Sequence, residues 1–166
     1  ALAMDNTRPA EQFLHSLLGK SGRTAGKAAF LLGQICEGRF DYRHALKFYR
    51  KAYLFGPKNR DYMEANAHIA CLLENYDEAE GLLNRMIDLL QTSRRKFPGK
   101  IYNAIKNLAH IYESQGDLDA ALVQHQRALA VRESVLGPDH PEIAAALNNM
   151  AALCEIRGHL DDALKY

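Results

Sequence analysis

The sequence predicts an all-α protein, a right-handed superhelix of four antiparallel helix pairs with one additional helix at the N-terminus. Internal repetition is the first observation behind this. A small residue recurs along the chain (Gly33, Ala67, Ala109, Ala151), and an alanine follows each twelve residues later (Ala45, Ala79, Ala121, Ala163). A Tyr or Leu precedes each of those alanines by three (Tyr42, Tyr76, Leu118, Leu160). Spacing is the second observation: Ala45 and Ala79 are 34 residues apart, whereas Ala79 to Ala121 and Ala121 to Ala163 are 42 each. Antiparallel helices approach closely only where the crossing side chains are small. One such pair cannot bury its apolar face alone, so successive pairs stack into a solenoid.

Each element has its own signal. Residues 8–20, RPAEQFLHSLLGK, place Phe13, Leu14, Leu17 and Leu18 on one side of a short helix that either covers the apolar end of the first repeat or is the remnant of an earlier one. The polar, glycine-rich GKSGRTAG that follows predicts a loop. Residues 1–25 are thus an N-terminal segment and 26–166 the repeat domain, with repeats at about 26–59, 60–101, 102–143 and a truncated 144–166. Leu32, Cys36, Tyr49, Leu108, Tyr112, Leu147 and Met150 are the larger apolar residues expected to fill the space between helices.

The stretch VLGPDHPEIAAALNNMA shows how one repeat hands over to the next. Gly137 ends a helix in a left-handed conformation and Pro138 cannot continue it. Asp139 is the expected N-cap, Pro141 fits the first turn, and Glu142 completes a capping box. Ile143, Ala146, Leu147, Met150, Ala151 and Cys154 then recur at helical spacing. A last helix starting near Leu160 is too short to cover the fourth repeat, which predicts exposed apolar surface around Ile156, Leu160 and Leu164. The opening Ala1-Leu2-Ala3-Met4 and the stop at Tyr166 in mid-pattern predict a piece of a longer chain.

Composition narrows the function. Hydrophobic residues make up 48% and charged residues 25%, and 21 basic residues nearly balance 20 acidic ones for a net charge of +1. That balance argues against nucleic acid or a membrane surface as partner. No apolar run approaches the roughly 20 residues that a membrane-spanning helix needs, and no signal peptide opens the chain. Cys36, Cys71 and Cys154 form no CxxC pair and lie on apolar stripes, as buried small hydrophobes of a reducing, cytoplasmic compartment do. Gly19-Lys20-Ser21 lacks a phosphate loop's first glycine, whose place Leu14 takes on a helical pattern. The seven histidines form no HExxH or zinc-type spacing, although His68 and His110 hold equivalent places in successive first helices. The repeats occupy the chain without loops to house an active site. A non-catalytic protein with no metal and no cofactor is expected.

The four copies resemble the tetratricopeptide repeat. Leu32-Gly33, Ala45, Tyr49, Ala52 and Pro57 carry its pattern in the first copy, with Cys36 and Ala29 where the family has Tyr and Trp. Leu108-Ala109, Tyr112, Gly116, Ala121 and Ala128 carry it in the third. The longer period with GPDHPEIAAALNNMA is similar to the kinesin-light-chain type; the second repeat departs from it with RRKFPGKIYNAIKNLA. The resemblance implies that first helices line a concave groove, here polar and of mixed sign: Lys27, Gln34, Glu37, Asp61, Glu64, His68, Asn103, Lys106, Asn107, His110, Glu113, Asn148, Asn149 and Glu155. In the family, asparagines at the place of Asn107 and Asn149 hold the backbone of an extended peptide, since an amide both donates and accepts. Lys106, His110, Glu113 and Asn148 would select its side chains and orientation, and Asn103 and His68 are further peptide-binding candidates. A carboxylate-clamping chaperone receptor does not fit, because Phe30, Gln34, Asn103 and Asn107 replace the basic and amide residues of that clamp. The implied role is protein–protein interaction, with a peptide or partner helix in the groove. The alternative is self-assembly through the open C-terminal end, or a fragment of a larger regulatory protein.

Overall fold

The computed structural model describes residues 8–20, 22–93, 97–156, 158 and 163. Among them every regular element is an α-helix: α1 (Arg8–Leu17), α2 (Arg23–Gly38), α3 (Tyr42–Phe55), α4 (Arg60–Leu72), α5 (Tyr76–Gln91), α6 (Pro98–Gln115), α7 (Leu118–Leu136) and α8 (Pro141–Ile156). The chain forms two compact units, one ending at Leu82 and one beginning at Leu83.

In the first unit α1 packs on α2, α2 on α3 and α3 on α4. The small residues do what the repeat predicts. Ala45 and Ala79 are completely shielded, and a Cβ added to Gly33 would lie 2.5 Å from the Tyr49 ring. Tyr49 is 1% exposed and donates its hydroxyl to the Glu37 carboxylate. Burial, followed by that bond, pushes the phenol far above its ordinary ionisation range. Phe30 closes the same core, its ring centre 5.5 Å from Tyr49 and 5.1 Å from Tyr62. At the position equivalent to Leu32, Leu108 and Met150, α4 carries Asn66, 1% exposed and with its Oδ1 lacking a hydrogen-bond partner.

Two N-terminal expectations change. GKSGRTAG is not all loop, because α2 starts at Arg23. Its first turn needs small residues for packing: Ala25 is fully shielded, and a Cβ on Gly26 would stand 3.1 Å from the Cβ of Phe55. In α1, Leu14 and Leu17 are half-buried, but Phe13 is 64% exposed. The helix is held instead by Leu18, just beyond it, on the Ala29–Ala52–Tyr62 cluster, by His15 edge-on to Phe48, and by an ion pair from Glu11 to Arg39.

The turn that follows the first helix of each repeat needs one residue at positive φ. Phe40 (φ 60°), Glu74 (φ 59°), Gly116 (φ 78°) and Gly158 (φ 78°) fill equivalent places. Glycine is at home there, whereas a residue with a Cβ is strained by on the order of 1–3 kcal/mol. Phe40 is 78% exposed, so its side chain offers little burial in return. Phe40→Gly should therefore raise stability by about 1 kcal/mol, after allowing for glycine's larger entropy in the unfolded chain. Urea unfolding checks this, and a lowered midpoint would refute it.

The second unit contains the end of α5 and α6 to α8, with α6 packed on α7 and α7 on α8. Asp117 caps α7 by accepting from Ala120 N–H at 2.9 Å, as Asp41 caps α3 through His44 N–H. The α7–α8 link differs from the expected capping box. Gly137 has a positive φ (84°), but its ψ of 160° takes it out of the left-handed helical conformation expected, and Pro141 is the first helical residue. The cap comes from His140, whose Nδ1 accepts from Glu142 N–H at 3.2 Å, and not from Asp139. The Glu142 carboxylate is drawn away to Arg132.

Of the expected core residues, Leu32, Tyr49, Leu108 and Met150 are buried, while Cys36, Tyr112 and Leu147 are half-buried. Cys154 is fully buried, but Cys36 and Cys71 are only partly so. Even this burial is the main cause raising both of those thiols above their ordinary range. Ile156 is 74% exposed; Leu160 and Leu164 lie outside the described residues.

Candidate functional site

A cleft of about 210 Å³ opens between α6, α7 and α8 in the second unit. Its apolar lining is mostly short side chains, Ala128 on α7 and Ala145 and Ala146 on α8, together with Leu129 on α7. Its polar walls come from Tyr102 and Lys106 on α6, His125 on α7, and Glu142 and Asn149 on α8.

The charges in and beside this cleft are largely paired. Arg132 holds the Glu142 carboxylate and lays its guanidinium over the Tyr102 ring, 4.2 Å from the ring centre. Glu113 accepts from His125 Nε2 at 2.6 Å and from His110 Nδ1 at 3.0 Å. Burial opposes the Glu113 charge, but the bonds and charges of His125 and His110 outweigh it and hold the carboxyl below its usual range. An ionised carboxylate only accepts, so each imidazole presents an N–H to it. Lys106 and Asn149, by contrast, make no side-chain hydrogen bond or ion pair among the described residues. They are the groups left to a ligand.

The sequence-predicted positions divide. Lys106 and Asn149 meet in the cleft. His110 and Glu113 stand beside it through His125. Asn103, Asn107 and Asn148 are exposed and outside its lining. His68 belongs to the first unit, on α4, where its Nε2 is 3.9 Å from Glu37. Tyr102, His125 and Glu142 fall outside the expected groove, which takes in only the polar faces of first helices away from the packed stripe. A signal does exist for His125. Glu37–Tyr49 in the first repeat and Glu113–His125 in the third occupy the same two positions, each pair twelve residues apart. Among the described residues no group of three or more His, Cys, Asp and Glu side chains is arranged to hold a metal. No helix there is long and apolar enough to cross a membrane.

Comparison with known proteins supplies the wider context. Residues 100–166 match the family model of the tetratricopeptide repeat. Over 116 residues, 70% of its length, the chain is 33% identical to the photosystem I assembly protein Ycf3 of Prochlorococcus marinus. It spans 51% of that relative. Among solved structures it resembles BtubC (BKLC) of P. vanneervenii, with a TM-score of 0.75 at 20% identity, covering 99% of this chain and 71% of the other. It also resembles the kinesin-light-chain-like repeats of Podosopora anserina, with a TM-score of 0.75 at 14% identity, covering 95% and 79%. At such identities the structural likeness establishes the fold.

Proposed function

Because the chain is a tetratricopeptide repeat protein, we propose that its second unit is a protein-interaction module whose α6–α7–α8 cleft receives an extended peptide. The observation that carries this reading is the pair of unpartnered polar groups, Lys106 and Asn149, in one cleft whose apolar lining is mostly short side chains. The Asn149 amide bonds the peptide backbone, and the Lys106 ammonium takes a carboxylate-bearing side chain. Asn107, Asn103 and Asn148 extend the contact along the exposed faces of α6 and α8, with His110 and Glu113 at its edge. His68 serves a corresponding face of the first unit. The relative is named for the assembly of photosystem I. A comparable role here is to hold a partner protein without chemistry on it.

Peptides selected by display against the full chain, titrated calorimetrically, test this reading. A lost hydrogen bond costs about 0.5–1.5 kcal/mol, and one to a charged group about 1.5–3 kcal/mol. A Lys106→Ala, Asn149→Ala double variant should therefore bind at least about ten-fold more weakly, at 1.4 kcal/mol per decade. Its melting temperature should stay close to wild type, since Lys106 and Asn149 are exposed and carry no internal bond. Equal affinity would remove the cleft from consideration.

Self-assembly through the C-terminal end is a second reading, favoured by the 74% exposure of Ile156. A solution mass that stays monomeric as concentration rises would end it.

A further inference from the structure

The wall of the cleft contains a charge that can be altered without moving the wall. Glu113 on α6 holds two imidazoles, His110 on its own helix and His125 on α7, with ring centres 6.5 Å apart. His125 also lines the cleft itself. While both imidazoles are neutral the cluster carries one negative charge, that of Glu113. Each proton taken up adds one positive charge, and the fully protonated cluster carries one net positive charge. The second ring nitrogen of each imidazole receives the proton, so both N–H bonds to Glu113 survive and the geometry is kept. Histidine is the side chain whose charge ordinarily changes between about pH 5 and 8.

The surroundings decide what the change does. Facing His125 from α6 are Tyr102, Lys106, His110 and Glu113. On α7 itself Arg132 is committed to Glu142 and Tyr102. From α8 come Glu142, already paired, and the uncharged Asn149. Lys106 is thus the one unpaired formal charge among the described residues lining the cleft. The Glu37 site of the first unit has one imidazole beside it, that of His68 at 3.9 Å, but none at the place of His125. There Tyr49 sits where His125 does, giving its hydroxyl to Glu37, and a buried phenol carries no charge in the same pH range.

We propose that the His110–Glu113–His125 cluster is a proton-operated wall of the peptide cleft, which strengthens binding of acidic segments as pH falls and weakens it as pH rises. This rests on the peptide-binding reading of the same cleft and adds its regulation and its preference for ligand charge. Protons and ligand are coupled as two effectors are, and such couplings are typically on the order of 5–150-fold.

The probes are a triglutamate and a triglutamine peptide, each capped at both ends, titrated into the full isotope-labelled chain and followed by NMR at about pH 7.5 and about pH 5.5, where glutamate stays largely ionised. Triglutamate should bind about ten-fold more tightly at the lower pH, and triglutamine should change by less than about two-fold. His125→Tyr copies the first repeat's own solution and keeps a donor to Glu113, while His110→Gln replaces the imidazole at an exposed position with an uncharged amide that still offers a donor. Each variant should flatten the triglutamate response, and the two together should abolish it. Triglutamate binding that needs Lys106 but has the same pH slope in wild type and in both variants would overturn the proton proposal and leave the peptide reading standing. Binding indifferent to Lys106→Ala, or absent at both pH values, would overturn both.

Discussion

Tyr49→Ala should destabilise the first unit by about 3–5 kcal/mol, the range found when a large aromatic is deleted from a packed interior. Tyr49 is 1% exposed, touches Phe30, fills the space over Gly33 and anchors the Glu37 carboxylate. Deletion opens a cavity and leaves Glu37 without its hydroxyl donor. A second substitution identifies the cause. In the wild-type background Gly33→Ala drives a Cβ to within 2.5 Å of the Tyr49 ring, and overpacking of this kind costs about 1–3 kcal/mol. With the ring removed, the same change becomes an ordinary helical Gly→Ala substitution and should stabilise by about 0.4–1 kcal/mol. Denaturant unfolding of the four proteins measures the reversal of sign. An unchanged cost for Gly33→Ala in both backgrounds would show that the α2–α3 crossing is not set by this contact.

Gly33 also shows which parts of the structure can be read in the sequence. The twelve-residue interval from small residue to alanine is a packing requirement, so the helix pairs and their crossings follow from it directly. Asp41 and Asp117 precede Tyr42 and Leu118 as helix caps, so in these two copies the second helix starts at the residue three before the alanine. Glycine misleads where it serves packing and not a turn. Gly26 lies inside α2, where a Cβ would stand a tight 3.1 Å from that of Phe55, and composition alone gives it the look of a linker. The reverse holds at Phe40 and Glu74, where the chain needs positive φ and the sequence offers no glycine to announce it. His140 displaces Asp139 as a cap because Pro141 fixes where α8 starts, one residue later than the capping-box pattern implies.

The site is legible in part for a related reason. Helical periodicity separates a polar face from an apolar one, and Lys106 and Asn149 emerge in that way. It does not say where a second helix reaches across to the first. His125 enters the cleft from α7 because Glu113 draws it there, a contact between helices. The exposed asparagines 103, 107 and 148 have the right chemistry but no wall opposite them in the lining of the cleft.

Ala121→Leu should cost the second unit about 1–3 kcal/mol through overpacking. Ala121 is 0% exposed on α7, as is Ala109 on the α6 helix packed against it, so added carbons must push the helices apart or force strained rotamers. The control lies on the same helix. Ala130 is exposed, and Ala130→Leu makes the same chemical change with similar helix propensity, so its effect should stay within about 0.5 kcal/mol. For a chain of this length 1 kcal/mol corresponds to roughly 2–4 °C in Tm. Thermal melts of the two variants should therefore separate by about 2–12 °C. The separation should extend to function, because spreading α6 from α7 also lengthens the Glu113–His125 contact at the wall of the cleft. Ala121→Leu should then weaken peptide binding while Ala130→Leu leaves it unchanged. Coincident melts would mean that the α6–α7 crossing tolerates bulk, and that the small residue is not what brings His125 to Glu113.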